Sequence, residues 1–469
     1  MAARQFAFGL AFVSESGCGK PNRSTDRKRI RSHCMRGRNR TIGVPRRPVH
    51  QASPAPAPRI DSSDEGTSGQ KDEDTGLSMS PSALSLLDLA FDIDNDSKAH
   101  IFSFLRFFHE TMYPIQHFID FDLSDCDWTF WLFLDPAYLQ SMFFLASGTQ
   151  DLASNQPLTA TTYAFLRQTI VRLNKQLSNM DTSAALRDST VAVVIVLTLF
   201  SSLINDQPGA EAHFAGLRQM VRLRGGIQSF RNNTKLYLKL ARADLIHALS
   251  TGSTGLLCTT PIPRPHFLSL EPLTVHRTHS RDFDDTSAIH NTADLRILTT
   301  FLEMQHYTSL INAVHTTHQR RPETEFQTTV ISFQYRLLQL QNAFHDKDVL
   351  SECLCLGMLA FLITTYQFPG TRAAYPVLGT RLREACCALH IGTEHKSEIN
   401  ELMRWLLIVG AMSVFDLASN TEGWMVERWN ALDDVEWEEA KTELERVIWI
   451  GLLQDRMGRG VFEELNRQQ

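Results

Sequence analysis

One stretch of this 469-residue chain concentrates side chains able to do chemistry. Arg27, Lys28, Arg29, Arg31, Arg36, Arg38 and Arg40 lie within fourteen residues, with Arg46 and Arg47 close behind. Such a run attracts polyphosphate and has the composition of a nuclear import signal. Each phosphate it neutralised would release counterions, so binding would be salt-dependent and indifferent to sequence. The run lacks the interleaved aromatics of a single-strand binder. Nothing around it promises a rigid helix aimed at a groove, so any direct contact with DNA is expected to be weak or indirect.

Other candidate motifs fail on spacing. Gly17-Cys18-Gly19-Lys20 suggests a phosphate loop, but Ser14 stands where the first glycine belongs and Pro21 follows the lysine. Asp92, Asp94 and Asp96 begin like a calcium loop, yet Ser97 replaces its glycine and Ser103 its final glutamate. A cap for a helix beginning near Lys98 explains Asp96 or Ser97 better. The pairs His276/His279 and His315/His318 have no neighbouring Cys and no zincin glutamate. The eight cysteines are scattered without a C-x-x-C, which suits a reducing compartment and, for those in apolar runs, inert core thiols. With no G-x-S-x-G and no recognisable carboxylate pair, the chain is expected to be non-enzymatic, with no cofactor and no metal.

The elements that must carry these residues divide by charge. Residues 18–50 hold eleven Lys or Arg against one acid, whereas residues 61–80 hold six acids against one Lys. Residues 1–80 sum to +6 and residues 81–469 to −12. Segment 14–80 is poor in large apolar residues and is expected to be mostly disordered, its prolines 54, 56 and 58 favouring an extended spacer. From Ser80-Pro81, a helix-start pair, helical patterns take over. Stripes at 3.6-residue period run through Ile101, Leu105, Phe108 and Met112, and through Tyr163, Leu166, Ile170, Leu173 and Leu177. They recur at Leu337, Leu340 and Phe344, at Leu356, Leu359 and Ile363, and at Trp437, Leu444, Ile448 and Leu452. The run 191–204 is too short to cross a bilayer and is expected to be a buried helix bounded by Arg187-Asp188 and Asn205-Asp206. The N-terminal FAFGLAFV lacks a small-x-small cleavage site, so no secretion signal is expected. The prediction is an all-α fold: a large multi-layer helical domain over 81–469, irregular at 250–291 and without clear strands, behind the basic arm and acidic linker of 1–80.

The order of several segments then resembles a known group. RSHCMRGRNR at 31–40, after FAFGLAFVSESG, is similar to the N-terminal block that precedes a fungal-specific transcription factor domain. Residues 213–227, 352–366, 402–429 and 444–465 resemble successive segments of that domain. Better-known members carry a six-cysteine zinc cluster as DNA reader, but only Cys18 and Cys34 precede residue 126 here, so that cluster cannot be built. The resemblance implies a nuclear regulator or co-regulator whose partners are proteins of the transcription machinery or another regulator. It also allows a homodimer and gives no role at a membrane. The alternative is a helical interaction or small-ligand-sensing protein with no role in transcription.

The residues of the 213–227 block have a physical reading of their own. His213, Leu217, Met220 and Val221 share a helix face, and Gly216 permits close approach of a neighbour. Gly225-Gly226 supplies the left-handed residue that ends the helix, with Arg222 and Arg224 near its negative end.

Overall fold

The computed structural model describes residues 101, 119–120, 127–178, 186–257, 293–313, 321–344, 348–365, 375–390, 396–417 and 423–468. All of them belong to one compact unit. The basic arm, the Asp92–Asp96 cluster and both H-x-x-H pairs lie outside them, as do Cys18, Cys34, Cys126, Cys258 and most of segment 250–291.

The described residues are all-α. The helices are α1 (Asp127–Leu134), α2 (Pro136–Ala153), α3 (Ala160–Leu177), α4 (Asp188–Leu203), α5 (Gln207–Leu223), α6 (Thr234–Thr251) and α7 (Leu295–Asn312). They continue as α8 (Glu323–Leu340), α9 (Val349–Thr364), α10 (Pro376–Ala388), α11 (Lys396–Ser413), α12 (Gly423–Asn430), α13 (Trp437–Val447) and α14 (Gly451–Arg467). A short 3-10 turn, Ile227–Phe230, joins α5 to α6. Two-residue strands, β1 (Ile119–Asp120) and β2 (Arg321–Pro322), pair in parallel and are the one extended pairing among the described residues.

Short polar side chains start these helices by accepting otherwise orphaned backbone N–H groups. Asp135 caps α2, with Pro136 at the first position, and accepts from Ala137 N at 2.8 Å. Its carboxylate also accepts from Gln176 Nε2 at 2.7 Å and Ser189 Oγ at 2.5 Å, so one cap ties α2, α3 and α4 together. Asp206, Asn233 and Asp348 cap α5, α6 and α9 in the same way.

Packing runs in layers. α2 lies on α3, and α4 meets α2, α5 and α6; α6 crosses to α8 and α10, and α9 is enclosed by α7, α8, α10 and α11. The helix spanning the 191–204 run is buried as its composition requires. α9 is buried from Leu350 to Leu362 and needs close neighbours on every side. Gly357 provides that: a Cβ there would lie 2.6 Å from the Trp405 ring on α11.

Two expected stripes are corrected. On α3, Leu173 and Leu177 are buried, but Tyr163 and Ile170 are 57% and 37% exposed. The helix instead turns Thr162 and Thr169 inward. Thr162 Oγ1 donates to Asp151 Oδ2 at 2.6 Å and lies 2.6 Å from Ser147 Oγ, which fixes α3 through a polar seam. The stripe through 437–452 is not one helix. Ile448 and Ile450 are extended between α13 and α14, which buries Ile448, Trp449 and Ile450 and leaves Leu452 41% exposed.

Candidate functional site: the corner of α4, α5 and α6

The segment singled out at 213–226 forms the second half of α5 and its C-terminus. Arg224 closes the helix, and Gly225 and Gly226 follow with φ of +99° and +100°. Gly226 N donates to Val221 O at 2.9 Å and Gly225 N to Arg222 O at 3.1 Å, the paired bonds of a Schellman ending. A Cβ at either glycine would meet nothing within 4 Å, so the need for glycine here is conformational rather than steric. Gly216 and Leu217 are buried on α5, as expected of a packing seam.

Arg224 turns back across the corner. Its guanidinium pairs with Asp188 at the start of α4, donates to Leu186 O at 3.3 Å and stacks 3.9 Å above the Phe230 ring. Asn233 Nδ2, from the cap of α6, donates to the other Asp188 oxygen at 3.0 Å. Asp188 thus joins the ends of three helices. The sequence shows Asp188 only as a helix boundary; its partners lie 36 and 45 residues away, beyond any local pattern.

His213 is half-buried. Burial holds its imidazole below the ordinary value, opposed by the Asp206 carboxylate. At the other side of α5, Phe214 stacks on His247 of α6 with ring centroids 3.9 Å apart, and His247 Nε2 lies 2.9 Å from Glu211 Oε2. Arg222, expected near the helix end, is exposed. Partial desolvation and then the like charge of Arg218 hold its guanidinium below the usual arginine value. Among the described residues, neither Arg218 nor Arg222 has an ion pair or a side-chain hydrogen bond, and Arg218 Nε is buried without an acceptor.

Elsewhere the polar groups serve structure. Burial pushes the Cys355 thiol up to about 12. A hydrogen bond with Cys386, followed by burial, pushes Cys353 well above the ordinary thiol value. Both are protonated and unreactive at neutral pH. Among the described residues no group of three His, Cys, Asp or Glu could hold a metal ion, and no helix is long and apolar enough to cross a membrane. A cavity between α7, α8 and α9, lined by Met304, Tyr307, Phe326, Phe333 and Phe361, leaves about 10 Å³, the lower limit for one water.

No family profile, curated protein or solved structure matches the chain.

Proposed function

We propose that this chain is a nuclear, fungal-type transcription regulator or co-regulator that acts by binding rather than by catalysis. Its helical body would meet protein partners, and its basic arm would direct import. Residues 1–125 hold only Cys18 and Cys34, too few to form a six-cysteine zinc cluster within this sequence. The observation that carries this reading is the order of the similar segments: the block at 31–40, followed by those at 213–227, 352–366, 402–429 and 444–465. The body's own chemistry is compatible with a binding role. Many of the described polar groups serve helix caps and interhelical ties, and the exposed Arg222 of α5 remains for contact.

A reporter fusion of the full chain tests the reading. Changing Arg27, Lys28, Arg29 and Arg31 together to Ala should abolish nuclear enrichment. Unchanged enrichment would show that import does not rest on this cluster. A parent fusion that stays cytoplasmic and leaves chromatin unoccupied would favour the interaction-protein alternative.

A further inference from the structure

Between Glu211 and Asp244 the chain has no acidic residue, yet it carries Arg218, Arg222, Arg224, Arg231, Lys235, Lys239 and Arg242. Seven cations in a row stand out in a body whose net charge is −12. Arg224 is spent on Asp188, and Lys235, Lys239 and Arg242 each engage other groups of the protein. That leaves Arg218, Arg222 and Arg231, of which Arg218 and Arg222 lie together on α5.

The register of the two helices gathers this charge. Glu211 and Phe214, early in α5, both meet His247, late in α6, so the helices run antiparallel. Arg218 and Arg222, one and two turns further along α5, therefore lie beside the part of α6 that opens with Lys235 and Lys239. Each pair spans four residues, a rise of about 6 Å, which puts its two charges on one helix face. The acids of the corner are committed elsewhere: Asp188 to Arg224 and Asn233, and Asp244 to Leu256 N, Leu257 N and Tyr335 OH. Glu211 sits with His247 at the far end of the seam.

We propose that the Arg218–Arg222 face of α5, with the adjoining start of α6, is a binding site for the phosphate backbone of duplex DNA. Arg222 is exposed and Arg218 partly buried, and two guanidinium groups a turn apart with no acidic partner among the described residues suit a repeating polyanion. Phe214 and Phe230 of this corner are buried against His247 and Arg224, so the face offers phosphate contact rather than the stacking a single strand needs. A nucleic acid is favoured over an acidic protein because residues 18–50 of the same chain carry +10, giving one polyanion two elements to engage. Binding here orients the body on DNA without reading bases.

The inference uses the regulatory reading only to say where DNA would be met. Its test is made on purified full chain, independently of nuclear import. Binding of fluorescent 20-base-pair duplexes is followed by anisotropy from about 50 to 300 mM salt. Each phosphate contact contributes about −0.9 to the slope of log K against log salt. R218Q/R222Q should therefore weaken binding roughly ten- to a hundred-fold at 0.1 M salt and make the slope shallower by about 2, equally on unrelated sequences. R218K/R222K should keep the slope. The R218Q/R222Q effect should persist when Arg27, Lys28, Arg29, Arg31, Arg36, Arg38, Arg40, Arg46 and Arg47 are all Ala, which nearly neutralises the arm and separates it from the body. Unchanged affinity and slope in R218Q/R222Q would overturn the proposal. So would a loss confined to a poly-glutamate probe, which would assign the face to an acidic protein. If R218Q/R222Q failed to fold, a salt slope near zero for the arm-neutralised parent would still refute it.

Discussion

Two arginine-bearing corners of this protein are built in opposite ways. Where α11 meets α13, Arg404 is buried and fully matched: its Nε donates to Glu443 Oε2 at 2.6 Å, Nη2 donates to Asp433 O at 2.9 Å, and its guanidinium lies 5.5 Å from the Trp429 ring centroid. Where α5 meets α6, Arg218 and Arg222 have no such match among the described residues. A buried ion pair is tolerated only when its hydrogen bonds are satisfied, because desolvation otherwise outweighs attraction. The first corner meets that condition and serves the fold. The second leaves Arg222 exposed and Arg218 only partly buried, so their charge is available to a ligand. Position along an interior–surface axis, not residue type, separates a structural arginine from a binding one.

Breaking the matched corner should have the largest effect. Arg404→Ala strands the Glu443 carboxylate and should cost about 3–5 kcal/mol of stability, read as a lowered urea midpoint. Gly226→Ala comes next. The φ of +100° is strained for any side chain, so a loss of about 1–3 kcal/mol is expected in the same unfolding experiment, with Gly225 left intact as a control. A dependence of stability on pH should be smaller. His213 has a folded-state value below its ordinary 6.5, so the unfolded chain takes up protons first on acidification. Its contribution is full above about 6.5 and falls as pH drops toward the lower folded-state value. His213→Gln should flatten thermal stability between pH 7 and 5 relative to the parent. Least affected should be R218Q/R222Q, whose unfolding midpoint should stay within about 0.5 kcal/mol of the parent. A large loss there would mean that the unmatched corner is structural after all.

The same contrast explains what could be read before any coordinates. Local features were legible: the apolar run of 191–204 marks α4, and Gly225-Gly226 marks the end of α5, because a helix core and a left-handed cap each depend on neighbouring residues alone. The break between α13 and α14 was not, since Ile448 and Ile450 satisfy a helical period even while extended. The inward face of α3 is not legible either, because Tyr163 and Ile170 are more apolar than Thr162 and Thr169, yet Asp151 and Ser147 on another helix decide which side turns in. Arg404 and Glu443 lie 39 residues apart, so their pairing is tertiary and leaves no local trace. The acid-free stretch between Glu211 and Asp244 was there to be counted, but its meaning depended on which cations the fold had already used.

The comparison between the two corners is tested most directly by arginine footprinting on the full chain. An arginine-selective dicarbonyl reagent is applied with and without duplex DNA, and modified residues are identified by mass spectrometry. Arg218 and Arg222 should react in the free protein and be shielded when duplex is bound, while Arg404 should be unreactive in both states. Equal modification of Arg218 and Arg222 with and without DNA, or an Arg404 that reacts as fast as they do, would contradict this account.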